Sequence, residues 1–164
     1  MDNQINDIKP AEEAVDEVFK VEFTEEQASH IKKFGNERRT YPVPTILIVE
    51  DQNFSRSLLE GMLSRSNPCY TAANVHQAIA LYAEHIPSIV FLDIELPDAS
   101  GHEFAALLKK HDPNNFVVMV TANNYTKDVV LARENNAQGF IVKPYSRQKI
   151  ITAIDKYLER KLKK

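Results

Sequence analysis

The chain has 164 residues, 43% of them hydrophobic and 26% charged, with a formal net charge of −3 and a single cysteine. That length suits one domain with an appendage, and it buries enough surface to fold without disulfides or a structural metal. Cys69 alone excludes an internal disulfide framework and any multi-cysteine zinc or iron–sulfur site, the balance of charge argues against a strongly basic nucleic-acid binder, and no apolar run approaches the roughly 18 residues of a membrane span.

The N-terminus has no basic stretch followed by an apolar one, so no secretory signal is expected, and a cytoplasmic protein without membrane insertion is. Residues 1–26 carry a net charge of −7, residues 27–44 a net of +3 and residues 45–164 a net of +1. Ala11–Val18 reads as an acidic amphipathic turn or two, and Val18–Phe23 alternates weakly, as a strand does. Thr24 and Gln27 form a capping-box pair that predicts a helix bearing Ala28, Ile31 and Phe34 on one side, with Gly35 ending it. Its docking surface is expected to be the rest of the chain, a second copy or a target. Pro42 and Pro44 then read as an extended linker, so the boundary falls between an extension, 1–44, partly helical or disordered, and a domain, 45–164.

From Thr45 onward two signals alternate. Thr45–Glu50 is a short β-branched apolar run and reads as a buried strand. Asn53 or Ser55 is expected to cap a helix with Leu58, Leu59, Met62 and Leu63 on one face. Pro68–Ala72 is a weak strand, and Asn74 caps a helix with Val75, Ala78, Ile79 and Tyr82 at helical spacing. Strand Ser88–Leu92 leads to helix Gly101–His111, strand Phe116–Val120 to helix Tyr125–Asn136, and strand Gly139–Val142 to helix Ser146–Lys161. The last helix places Ile150, Ile151, Ile154, Tyr157 and Leu158 on one stripe. Strands that are apolar throughout and alternate with helices imply an α/β fold with a parallel sheet covered on both faces. Functional groups in such folds gather at the carboxyl ends of the strands.

Those ends carry Glu50-Asp51, Asp93, Thr121-Ala122 and Lys143-Pro144. Three converging carboxylates repel one another and stay ionised together only around a cation. Hard oxygen donors suit Mg²⁺. A metal ion, a lysine and a hydroxyl around one carboxylate are the parts needed to orient and neutralise a phosphoryl group, with Asp93 as the nucleophile that forms an acyl phosphate. Cys69 reads as inert core, and His102 as a surface histidine near a helix N-terminus.

The ordered set of Glu50-Asp51 after TILIV, Asp93 within FLDIELPDASG, Thr121-Ala122 after VVMV and Lys143-Pro144 after GFIV resembles the receiver domain of two-component response regulators over about residues 45–161. The resemblance implies a doubly wound, flavodoxin-like (βα)5 fold with strand order 2-1-3-4-5. It implies that Asp93 accepts the phosphoryl group, that Asp51, Asp93 and the backbone carbonyl of Glu95 hold Mg²⁺ with Glu50 acting through water, that Lys143 pairs with the phosphoryl group and that Thr121 bonds it after rearrangement. Phe140 takes the place of an aromatic switch that moves with Thr121, the Lys143–Pro144 peptide is expected to be cis, and the side chains of Glu95 and Asn123 line the path of the hydrolytic water. The protein is then expected to be a signalling switch rather than an enzyme, though one that catalyses its own phosphorylation and dephosphorylation. Its implied partners are a sensor histidine kinase and a downstream protein target or histidine phosphotransferase, with a second copy of the chain as a further candidate and no nucleic acid. A haloacid-dehalogenase-type hydrolase fits poorly, because Glu95 stands where its second aspartate belongs and no cap segments are evident.

Overall fold

A computed structural model describes residues 19–163 apart from Asn124, so the amphipathic stretch expected at Ala11–Val18 lies outside the described residues. Five parallel strands, β1 Ile46–Val49, β2 Cys69–Ala72, β3 Ile89–Leu92, β4 Val117–Thr121 and β5 Gly139–Val142, form one sheet in the order β2-β1-β3-β4-β5. Among the described residues the helices are α1 Glu25–Phe34, α2 Asn53–Leu63, α3 Val75–His85, α4 Gly101–His111, α5 Thr126–Glu134 and α6 Arg147–Leu162, and a 3-10 turn spans Glu37–Thr40. Among the described residues no helix is long and apolar enough to cross a membrane.

The period of two along each strand divides the core. Ile46, Ile48, Phe91, Val118 and Val120 face Leu59 and Leu63 of α2 and Ile150, Ala153 and Tyr157 of α6. Leu47, Val49, Val90, Leu92 and Met119 face α3 and α4 through Val75, Ile79, Tyr82, Phe104 and Leu108. Both faces are therefore covered, as runs such as Ile46–Val49 require.

Local chemistry sets most helix starts. Thr24 and Gln27 make the reciprocal capping bonds at α1, Ser100 and Glu103 do so at α4, and the side chains of Asn74 and Ser146 cap α3 and α6. Helix α2 differs from expectation: its N-cap is Gln52, which makes no side-chain capping bond, while Asn53 Oδ1 accepts from the Arg56 guanidinium at 2.5 Å. Residues 19–23 form no strand. Helix α6 buries Ile150, Ala153 and Tyr157 and leaves Leu158 exposed, so its buried stripe is narrower than the apolar pattern. Asn136 takes the left-handed conformation, φ 59°, just beyond α5.

The predicted helix of the extension is present and docked on α3 and α4. Ile31 and Phe23 are buried in the same core as Leu47 and Val90. Thr45 thus marks a change in charge and the approach to β1, but not a division between two cores. Next to this helix Arg38 is buried, donating from Nε to the Gly35 carbonyl at 2.5 Å and from Nη1 to Tyr82 Oη at 3.1 Å and the Pro87 carbonyl at 3.3 Å. Its Nη2 pairs with Asp112, which also accepts from Tyr82 Oη at 2.7 Å. Burial pushes the Tyr82 phenol well above its ordinary range, which keeps its proton available for Asp112.

Candidate functional site

In the parallel register Val49 lies beside Leu92, so the next residues, Glu50 and Asp93, leave the sheet side by side. Glu50 and Asp93 are buried and Asp51 is exposed, yet one carboxylate oxygen from each lies within 4.8 Å of the others. Lys143 arrives from the end of β5, and its peptide bond to Pro144 is cis, as the resemblance implies. Its ammonium donates to Asp93 Oδ2 at 2.7 Å and pairs with Glu50 Oε2.

Burial raises the Glu50 carboxyl above its ordinary value, with the Lys143 hydrogen bond opposing the rise. Burial works to lower the Lys143 ammonium, but hydrogen bonds to Asp93 and Glu50 outweigh it and raise it. One ammonium among three carboxylates leaves excess negative charge even so. Hard oxygen donors this close, short of positive charge and open to solvent through Asp51, fit a divalent cation of the Mg²⁺ type.

The loop after β3 is held in place by its backbone. Asp93 Oδ1 accepts the Glu95 N–H at 3.1 Å, and the Gly101 N–H donates to the Ile94 carbonyl at 2.8 Å. The Asp98 carboxylate accepts the Val75 and His76 N–H groups at 2.9 and 2.8 Å, tying this loop to the start of α3. A Cβ on Gly101 would sit 2.1 Å from the Asp93 carbonyl oxygen. Backbone, not a flexible side chain, would have to yield. Gly101→Ala is therefore expected to displace the Asp93 loop and cost ~1–3 kcal/mol of stability, measurable by urea denaturation.

Thr121 ends β4 fully buried, its hydroxyl accepting the Asn123 N–H at 3.3 Å and its carbonyl accepting the Lys143 N–H at 2.8 Å. Asn123 Nδ2 donates to Glu95 Oε1 at 2.6 Å, joining the loops after β3 and β4 above the cluster. Glu50, Asp51, Asp93 and Lys143 thus meet in one cluster, with Glu95 on the loop after β3 and Thr121 at the end of β4. Phe140 stands apart from it, half-buried on β5 opposite Met119 and packed against the core that contains α4.

One residue of the site goes unmarked in the sequence. Arg56 on α2 donates to the Glu50 carbonyl at 2.7 Å and the Asp51 carbonyl at 3.2 Å, bracing the acidic turn. His102 is a correction: it is buried, and its Nε2 lies 3.2 Å from Asp128 Oδ1. Cys69 is half-buried, with its thiol pushed up to about 11 by burial, which keeps it protonated and unreactive.

The profile of the response regulator receiver domain matches residues 46–155. The chain is similar to the chemotaxis protein CheY of Listeria monocytogenes, 34% identical over 113 residues that cover 68% of this chain and 95% of that protein. The Bacillus subtilis chemotaxis protein CheY is 32% identical over 115 residues, covering 69% of this chain and 96% of that protein. Among solved structures, a CheY-like receiver domain protein from Methanospirillum hungatei superposes with a TM-score of 0.70 at 24% identity, over 74% of this chain and 98% of that one. With the acidic pair after β1, the aspartate after β3 and the lysine after β5 all at the carboxyl ends of the strands, the chain belongs to the response regulator receiver domain family.

Proposed function

We propose that the protein is a phosphorylation-dependent switch of a two-component system, accepting a phosphoryl group on Asp93 from a sensor histidine kinase and acting through protein contacts. The observation that carries this reading is the placement of Asp93: one carboxylate oxygen on Lys143 Nζ at 2.7 Å, the other on the Glu95 N–H at 3.1 Å, within an acidic cluster able to hold a cation. In the transfer an Asp93 oxygen forms a bond to phosphorus as the phosphorus–nitrogen bond of the donor phosphohistidine breaks, its electron pair staying with the imidazole. Lys143 neutralises the phosphoryl oxygens, and Thr121 supplies a hydroxyl donor once its loop closes.

Asp51, Asp93 and the Glu95 carbonyl would hold Mg²⁺, with Glu50 acting through water. Mg²⁺ supplies charge neutralisation of the phosphoryl oxygens. Thermal melts are expected to rise with Mg²⁺, by about 2.7 kcal/mol of stability when free Mg²⁺ exceeds Kd a hundredfold. Asp51→Asn should abolish most of that gain and stabilise the metal-free protein by removing carboxylate repulsion.

Two exposed apolar surfaces flank the site. Tyr125, the N-cap of α5, and Val130 and Leu131 on it are exposed, suiting a target that reads the face formed by α5, β5 and α6. Phe54 is 80% exposed and Leu58 46% on α2, suiting a helical donor or acceptor of the phosphoryl group. The second surface favours an alternative role as a phosphorelay intermediate that passes the group to a histidine phosphotransferase. Incubation of the phosphorylated protein with co-purified partners separates the two: a relay partner gains the phosphoryl group, and a switch target binds without gaining it.

Switching itself is tested by Thr121→Ala and Lys143→Ala. Both should lose the chemical-shift response of α5, β5 and α6, Phe140 included, while some uptake at Asp93 persists. A phosphorylated Thr121→Ala protein with the full wild-type response would refute the switch role of that hydroxyl.

A further inference from the structure

Helix α5 directly follows the Thr121 loop, and α4 starts at Gly101, against the Asp93 carbonyl. The two helices are joined by polar ties. His102 Nε2 meets Asp128 Oδ1 at 3.2 Å, Asn135 Nδ2 donates to the His102 carbonyl at 3.4 Å, and Lys109 Nζ donates to the Glu134 carbonyl at 2.6 Å. Little apolar packing supports them: Ala132 is the one buried residue of α5, and its N-cap, Tyr125, makes no side-chain capping bond. Of these ties only the first joins two side chains, and both are well shielded from water, His102 at 7% and Asp128 at 16% side-chain exposure.

An apolar residue would fill the slot of His102 at less cost, because among the described residues His102 Nδ1 is buried without a hydrogen-bond partner. What the imidazole adds is the bond to Asp128. A carboxylate only accepts, so the tautomer with hydrogen on Nε2 is the one that fits. We propose that the His102–Asp128 pair is a latch that holds α5 in its resting position, making His102 a positioning residue for the movement of the Thr121 loop. The latch joins the helix that starts at the phosphoacceptor to the helix that starts at the phosphoryl-sensing hydroxyl. It rests on the switch reading of Asp93 and Thr121.

The test uses full-length, unphosphorylated protein and the variants His102→Leu, Asp128→Ala and their double. Amide hydrogen exchange of α5 should accelerate roughly ten- to hundredfold in each single variant, as expected for losing a charge-assisted bond in a shielded place. The double variant should exchange no faster than the quicker single one, because both remove the same interaction. Amides of β3 should be unchanged. Uptake of a phosphoryl group from a small-molecule donor should quicken in all three, since the Thr121 loop is freer to close. Unchanged α5 exchange, or equal acceleration in α5 and β3, would overturn the latch. So would loosened α5 with wild-type uptake, which makes the pair a packing contact. Failure of the wild-type protein to take up any phosphoryl group would strike the switch reading instead, and α5 exchange still judges the tie.

Discussion

Arg38→Ala is expected to lower the free energy of unfolding by about 3–5 kcal/mol, the range for removing one partner of a buried ion pair. Arg38 is 2% exposed and Asp112 4%, so the abandoned carboxylate has little access to water. Tyr82 Oη remains as a donor to Asp112, but the Gly35 and Pro87 carbonyls lose theirs. A triple variant, Arg38→Met with Asp112→Leu and Tyr82→Phe, should recover much of the loss, because the cost lies in an unpaired buried charge and not in the missing pair. Urea denaturation of the three proteins measures both effects. Wild-type stability in Arg38→Ala would show that the network is dispensable.

The same contacts decide how separable the extension is. Residues 45–161 hold all five strands and every site residue, and on the sequence alone they are expected to stand by themselves. Beginning the chain at Thr45 would remove Arg38 from Asp112 and Tyr82 and uncover the surface under Ile31 and Phe23, each worth ~1.5–3 kcal/mol of apolar burial. Against a typical total stability of roughly 5–15 kcal/mol, a marginal or partly unfolded receiver is the expected result. Circular dichroism melts of the full and shortened chains measure it.

What could be read from the residues was what local pattern determines. Runs such as Ile46–Val49 and Val117–Thr121 are apolar at every position, which suits a strand buried on both faces. The cluster was legible because each of its members directly follows a strand, and parallel pairing brings strand ends together. The box at Thr24 and Gln27 is a contact between residues three apart, visible without a fold. Arg38 was not legible, because Tyr82 and Asp112 lie 44 and 74 residues away and nothing near Arg38 sets it apart from Arg39. His102 reads as solvent-facing because its partner, Asp128 on α5, lies 26 residues away and nothing local points to it. Leu158 fits the apolar period of α6 but stays exposed, since burial depends on what lies opposite.

Asp93→Asn is expected to abolish phosphorylation, the largest functional effect of any single substitution in this chain. The amide keeps the shape of the carboxylate, but it lacks the nucleophilic oxygen and the charge that Lys143 and a cation require. Its neighbours are less well placed: Glu50 is engaged with the Gln52 N–H and Lys143, and Asp51 is exposed at the edge of the cluster. The measurement is intact-mass spectrometry of wild-type and Asp93→Asn protein after incubation with Mg²⁺ and a small-molecule phosphodonor. A single acid-stable, base-labile phosphoryl group on the wild type and none on the variant is the predicted result, and equal phosphorylation of the two proteins would contradict it.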